Sequence, residues 1–598
     1  MLTSLTYLVL AAAGICSASP TVQVHARDTT PTVTLKNGTY TGRHNSYYNQ
    51  DYFLGVPFAL PPVNDLRFRA PQSLNTTWSS AKPAVTYPPL CVGYGTDVTF
   101  NTGIDPPGSA HRISEDCLYL NVVKPSTATV DSGLPVAVWI HGGGLYQGGS
   151  DDQRYNLSYI VQNSVDLGQP MIGISIQYRL SGWGFLVGKE ALEGGAANNG
   201  YRDQRLALHW IQENIAAFGG DPTKVTIWGE SAGGLSVGAQ LLAYNGRDDG
   251  LFRAAISQSG GPATQFFDRE LVGGYNTTAF QTIYNNLLAN TSCASSANTS
   301  SSLDCLRALP YEDLNTFFNS TQGGPFFGMI DGDFIATWPS DQLNAGNFVR
   351  VPYLAGTNSD EGAAFGASNI STDAEFLEAV NATTYSSPLA AFANTLVSYL
   401  YPDIQAIGTP SFKTLPEVLT PESNITAKIG LQARRSYAFF ADQIVNAPRR
   451  ASNLAWSNFN VPSYSYRFDV TVNGLPAYVG ATHFQEVAFV FDNINGLGYA
   501  TSPFPNSTYP EKKQAFENLA SHISRSWVGF ITQLDPNANG LPNVATWPVF
   551  NATSGGGAGK NIVFSADVDG FQSFPEDDTY RAEGMQFISD HAKSVWGR

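Results

Sequence analysis

The sequence predicts an α/β chain in which a mostly parallel central sheet carries helices on both faces. Three observations predict it. Short apolar, β-branched runs recur through the first half of the chain, and helical stretches or glycine-rich turns separate them. The runs also lack apolar/polar alternation, as strands buried on both faces do. In order, PVAVWIH (135–141) and MIGISIQY (171–178) read as strands. YRDQRLALHWIQENIAAF (201–218) has helical spacing, with Leu206, Trp210, Ile211, Ile215 and Phe218 on one side, and GGDP ends it. KVTIW (224–228) is the next strand, and a helix follows from the small residues after Ser231 to about Tyr244. FRAAISQSG (252–260) and VPYLAGTN (351–358) read as further strands that end in loops. This is the βαβ rhythm of a parallel sheet.

Outside that rhythm, residues 262–345 are richer in Asn, Ser and Thr, residues 370–450 read as helices with proline breaks, and SGGGAGK (554–560) reads as a surface loop. There is no internal repeat. The 598 residues are 43% hydrophobic and only 14% charged, enough apolar material for a large core. A net charge of −16 and a pI near 4.9 exclude nucleic acid and anionic membranes as natural partners.

The first residues, MLTSLTYLVLAAAGICSAS, read as a secretory signal over 1–19, although its leading region has no Lys or Arg. No later apolar run is long enough for a membrane span. Export agrees with the cysteines. Without Cys16 four remain, Cys91, Cys117, Cys293 and Cys305, which allow three pairings; the two sequential ones close the shortest loops. It agrees too with the Asn-x-Ser/Thr sites at Asn37, Asn75, Asn156, Asn276, Asn290, Asn298, Asn319, Asn369, Asn381, Asn424, Asn506 and Asn551. A secreted, glycosylated, extracellular protein is expected.

The chemistry centres on VTIWGESAGG (225–234). A strand that runs straight into Gly-Glu-Ser-Ala-Gly and then a helix is the setting in which a serine is forced onto a strained turn, with its hydroxyl above the sheet edge. The helix N-terminus adds backbone N–H groups and partial positive charge at the same point. HGGGLYQGG (141–149) follows another strand. Its glycines allow close backbone approach, so Gly143, Gly144 and Ala232 are the expected donors of an oxyanion hole. A phosphate-binding loop would need a Gly-Lys-[Ser/Thr] ending, which is missing.

At this point a family likeness enters. FGGDPTKVTIWGESAG (218–233) and EDCLYLNVVKP (115–125) resemble the two signature segments of the type-B carboxylesterase family. That family groups carboxylesterases, cholinesterases and fungal lipases on the α/β-hydrolase fold. The resemblance runs from about residue 30 onward and implies the pairs Cys91–Cys117 and Cys293–Cys305. Motifs spread from 115 to 483 would then converge on one site, so residues 20–598 are expected to form one catalytic domain.

Chain order in this fold is serine, acid, histidine. Three histidines follow Ser231. His522 and His591 lie in helical stretches, whereas His483, in the loop YVGATHFQEVAFVFDN, resembles the family's catalytic histidine segment. The acid is Glu361 of AGTNSDEGAAF, by its match to the family's D-E-G segment, with Asp360 as competitor. The implied chemistry is acyl transfer from a small-molecule ester by a Ser231–His483–Glu361 triad, with no cofactor and no metal. Glu230 is expected as a buried, hydrogen-bonded support, with tuning of the site or contact with a cationic substrate as alternatives; Glu486 is expected as a support near His483, and Arg179–Asp203 resembles a structural ion pair of the family. Phe266/Phe267 and Phe326/Phe327 could line an acyl pocket or the core.

Three rival functions bear on this. An interfacial lipase needs an apolar lid, but the Cys91–Cys117 loop is broken by Gly and Pro and shows no amphipathic helix, which favours a soluble ester. An adhesion protein of this fold would have lost its catalytic residues. A serine carboxypeptidase would leave the 115–125 and 141–149 segments unexplained. One departure from the family is Leu145, where an aromatic residue usually follows the glycines.

Overall fold

Eleven strands hydrogen-bond into one sheet in a computed structural model that describes residues 30–95, 112–264, 277–297, 299–320, 326–384, 389–554, 557–568 and 572–598. The proposed signal segment, Asn276, Asn298, Phe266, Phe267 and most of the Cys91–Cys117 loop lie outside the described residues.

The strands are β1 (Arg43–Asn45), β2 (Gln50–Pro57), β3 (Tyr119–Pro125), β4 (Leu134–Ile140), β5 (Ile172–Ile176), β6 (Gly220–Glu230), β7 (Ala254–Gln258), β8 (Tyr353–Asn358), β9 (Ser463–Phe468), β10 (Lys560–Phe564) and β11 (Ser573–Asp577). Their spatial order is β11-β10-β9-β8-β7-β6-β4-β5-β3-β2-β1. From β5 across to β10 every neighbour is parallel, while β1, β2 and β3 at one edge and β11 at the other run antiparallel. The helices that bear on the site are α1 (Leu157–Asp166), α2 (Asn199–Asn214), α3 (Ala232–Gly246), α4 (Pro339–Ala345), α5 (Ala433–Ala441), α6 (Ala447–Asn458), α7 (Pro510–Gln533), α8 (Ala582–Asp590) and α9 (Ala592–Trp596).

Side chains that alternate along one strand enter two different cores. Val136, Val138 and Ile140 of β4 pack with Leu208 and Ile211 of α2 and Val237 and Leu241 of α3. Ala137 and Trp139 point the other way, toward Ile160 of α1 and Ile523 and Trp527 of α7. Both faces are therefore buried, which is why these strands read as continuous apolar runs.

Boundaries differ from the sequence reading where the backbone changes geometry. The helix expected over 201–218 is α2 plus a tighter turn at Ile215–Phe218, which ends at Gly219 with φ 93°. The helix expected to reach Tyr244 leaves helical geometry at Ala243. β6 begins earlier than expected because a register shift lets Gly220 pair with Leu134 ahead of Val225.

Both disulfides, Cys91–Cys117 and Cys293–Cys305, are formed. Among the glycosylation sites Asn75, Asn290, Asn319, Asn369, Asn424, Asn506 and Asn551 are exposed, and Asn381 is half-buried. Asn37 does not fit that role in the folded chain: it is buried, and its Nδ2 donates to the Thr76 carbonyl. Half-buried Asn156 caps α1 by accepting the Ser158 N–H. Among the described residues no helix is long and apolar enough to cross a membrane.

Candidate active site

The residues singled out from the sequence lie at or beyond the C-terminal ends of adjacent parallel strands, the edge at which ligands bind in open α/β sheets. Ser231 directly follows β6, the glycine loop follows β4, Glu361 lies three residues past β8, and His483 is carried by the long connection after β9.

Ser231 has φ 57° and ψ −124°, a conformation L residues rarely adopt. Close packing holds it there. A Cβ on Gly233 would sit 2.0 Å from the Ile140 carbonyl, and one on Gly229 would sit 2.5 Å from the Gly233 backbone. Only glycines let α3 start this tightly against β4. The Ser231 N–H donates to the Gln258 carbonyl at 2.9 Å, and the Ser231 carbonyl accepts from Leu235 at 2.9 Å.

The loop after β4 turns back on itself because Tyr146 and Gln147 both donate to the Gly143 carbonyl at 3.0 Å. Gly143 and Gly144 have φ of 97° and 67°. The amides of Gly143, Gly144 and Ala232 find no backbone acceptor among the described residues. His141, which opens this loop, is buried and stacked on Tyr178, with Nδ1 2.9 Å from the Gly142 carbonyl, and burial pushes it down to about 4.

His483 Nδ1 lies 2.7 Å from Glu361 Oε2. Glu361 is fully buried, and its other oxygen accepts from Ser259 Oγ at 2.5 Å and from the Asn358 N–H at 2.8 Å. Asp360, the competing acid, turns away: its Oδ2 accepts the Ala481 N–H at 2.8 Å, and burial pushes it up to about 7. Glu486 is buried as a support, held by Gln258 Nε2 and Asn358 Nδ2. The sequence reading missed Ser259, Asn358 and Gln258. Asn358 and Gln258 close strands β8 and β7, and Ser259 (φ 48°) follows β7.

Glu230 differs from its expected role. It is fully buried, yet among the described residues neither carboxylate oxygen is hydrogen-bonded; Oε1 faces His483 Nε2 at 3.3 Å. Burial raises its pKa well above the usual carboxylate range, and His483 only partly offsets this. For His483 burial opposes the charge, but Glu230 and Glu361 outweigh it and raise the ring to about 9. The two shifts compete for one proton. Glu230 is the group that holds it, since among the described residues no hydrogen bond stabilises its anion. A neutral Glu230 leaves His483 mainly with the pull of Glu361, so the ring then releases its proton below that value. Among the described residues no hydrogen bond joins Ser231 Oγ to His483; such bonds commonly tighten only in the substrate complex.

Arg179 and Asp203 form the expected ion pair, buried and bidentate at 2.8 and 2.6 Å. Leu145 (φ 63°) is buried and lines a small apolar cavity beside α3 with Leu235, Ala239 and Phe327. Phe326 instead packs into the core against Phe318.

The sequence profile described as "Carboxylesterase family" matches residues 29–558, nearly the whole chain. The chain belongs to the carboxylesterase family. It is similar to "Secreted lipase 1" of Botryotinia fuckeliana, 33% identical over 97% of this chain and 96% of that protein. "Lipase 2" of Geotrichum candidum is 33% identical over 76% of this chain and 82% of its own length. Among solved structures, Aspergillus niger EstA superposes with a TM-score of 0.74 at 25% identity, covering 95% of this chain and 99% of EstA. "PNB esterase" gives 0.69 at 26%, covering 94% and 100%. The fold is the α/β-hydrolase fold, and this carboxylesterase-family chain is an ester hydrolase of small-molecule esters.

Proposed function

We propose that this protein is a secreted serine carboxylic ester hydrolase with Ser231 as nucleophile, His483 as general base and Glu361 as the acid that orients the ring. The observation that carries the reading is the 2.7 Å bond from Glu361 to His483 Nδ1. With Nδ1 engaged, only Nε2 is left to take the Ser231 proton, and Glu361 stabilises the imidazolium that results. Ser231 then attacks the ester carbonyl. The amides of Gly143, Gly144 and Ala232 receive the tetrahedral oxyanion, each donor contributing about 2.7–4 kcal/mol to the transition state. The alcohol leaves with the proton from His483, and water releases the acid by the same route. Phe327 and Leu145 border the acyl group, and residues 20–598 act as one catalytic domain. Two disulfides and a secreted relative support an extracellular site of action.

Ser231→Ala is expected to abolish hydrolysis of p-nitrophenyl esters while circular dichroism stays that of wild type; turnover at the wild-type rate would refute the assignment. We propose a soluble ester as substrate, from the composition of the Cys91–Cys117 loop. The lipase names of several relatives favour a second reading, an interfacial lipase. Rates on short- and long-chain esters below and above their aggregation point separate the two: a jump at the interface selects the lipase.

A further inference from the structure

A cavity of about 420 Å³, with none of the triad residues in its lining, lies between α4, α6 and the α8–α9 pair, and Ala263 also borders it. Its volume falls within the roughly 300–1,000 Å³ of small-molecule sites. Leu343, Leu454, Met585 and Ile588 make part of the wall apolar, and two guanidiniums face the same space, Arg450 and Arg598. Both are more than nine-tenths buried. Among the described residues Arg450 Nε and Nη1 and Arg598 Nη1 and Nη2 have no hydrogen-bond partner, and no side-chain carboxylate forms an ion pair with either.

Their neighbours behave differently. In the same helical layer Arg449 is paired with Asp578, Arg581 with Asp442, and Lys593 with Asp341. Asp590, which also lines the cavity, accepts from Gln586 Nε2 at 2.7 Å, and Ser340 Oγ donates to the Arg598 main-chain oxygen. Burial alone pushes Arg598 down to about 9. Asp578 and Glu583 act on Arg450 only at a distance, and buried guanidinium donors left open are destabilising, so packing alone gives no reason to keep two such groups at one cavity. Donors left open at a cavity wall fit an acceptor that arrives with a ligand.

We propose that this cavity binds an alkyl carboxylate, its anionic head between Arg450 and Arg598 and its chain along the Leu343, Leu454, Met585 and Ile588 wall. Carboxylates are what ester hydrolysis releases, so the site is placed to sense product; that clause alone rests on the proposed function.

Decanoate, decanol and inorganic phosphate, each below any aggregation point, are titrated into the full chain by calorimetry, together with thermal melts. Decanoate is expected to bind at least tenfold tighter than decanol and to raise Tm. Arg450→Gln and Arg598→Gln are each expected to weaken decanoate at least tenfold, to keep wild-type hydrolysis of a short ester, and to melt without ligand no lower than wild type. Decanoate held only in the active site survives both substitutions, and that result overturns the proposal. Equal binding of decanol removes the charged head, and phosphate matching decanoate removes the alkyl wall; either overturns it. The ligand series needs only the wild-type chain, so it decides even where a variant fails to fold, and binding is read without turnover, so a wrong triad leaves this test intact.

Discussion

Two adjacent carboxylates past β8 have opposite surroundings, and their substitutions separate accordingly. Glu361 meets His483, whereas the Asp360 carboxylate accepts from the Ala481 N–H. Glu361→Gln keeps the shape but removes the charge that stabilises the imidazolium, so kcat should fall about 10³–10⁴-fold. Asp360→Asn should keep activity within a few-fold. Steady-state kinetics on one p-nitrophenyl ester checks both, and equal losses would mean that the acid is misassigned. Glu230→Gln tests the pair across the ring: because Glu230 already holds a proton, the neutral amide should leave the acid limb of kcat/KM in place. A limb that moves to lower pH would show a charged Glu230 raising His483. In the sequence Asp360 and Glu361 are equivalent loop acids, and only the family resemblance chose between them. The physical reason is invisible there: the Asn358 N–H and Ser259 Oγ anchor one oxygen of Glu361 and leave the other for the histidine. Ser259 itself reads as the polar end of a strand, with no motif to mark it.

At the level of elements, legibility followed burial. β4, β5, β6, β7 and β8 are covered on both sides and announce themselves as apolar runs, whereas β9 is SYSYRF, whose serines and tyrosines are buried but make no apolar run. The strands toward the two edges, β1, β2, β10 and β11, carry too few apolar residues, or too short a run, to stand out. Polar pairing supplies what apolar patterning leaves out at the β10–β11 edge. Arg449 of α6 is buried with Asp578 just past β11, at 2.6 and 2.9 Å, and Asn561 of β10 donates to the same carboxylate. Arg449→Met would strand that carboxylate in the interior, so unfolding free energy should drop by about 3–5 kcal/mol. Adding Asp578→Leu should recover a large share, since the loss comes from one uncompensated charge. Urea denaturation of the single and double variants measures it; a double variant no more stable than the single would locate the loss in packing.

For the whole molecule, the ionisable groups around the site give stability a direction with pH. Burial raises Asp360 to about 7, and it raises Glu230 and Glu486 as well. Above their unfolded values such groups hold protons in the folded chain that the unfolded chain has released, so stability falls as pH rises through the folded values. His483, raised despite the opposing effect of burial, acts in the same direction: its contribution is complete below about 6.5 and, beside a protonated Glu230, is lost short of 9. His141 and His522, both lowered to about 4 by burial, act in the opposite sense, but only between about 4 and 6.5. From pH 6.5 to 8.5, then, every one of these shifts points the same way, and a net charge already at −16 adds repulsion. Scanning calorimetry should therefore show Tm declining steadily over that interval. Asp360→Asn takes one contributor out and should lessen the decline by roughly 1 kcal/mol, because most of the Asp360 effect is spent below pH 6.5. Below pH 6.5 the two buried histidines begin to offset the carboxylates, and the curve should flatten. A Tm that climbs between pH 6.5 and 8.5 would mean that these carboxylates stay charged in the folded interior, and with that the protonated Glu230 beside His483 would have to be given up.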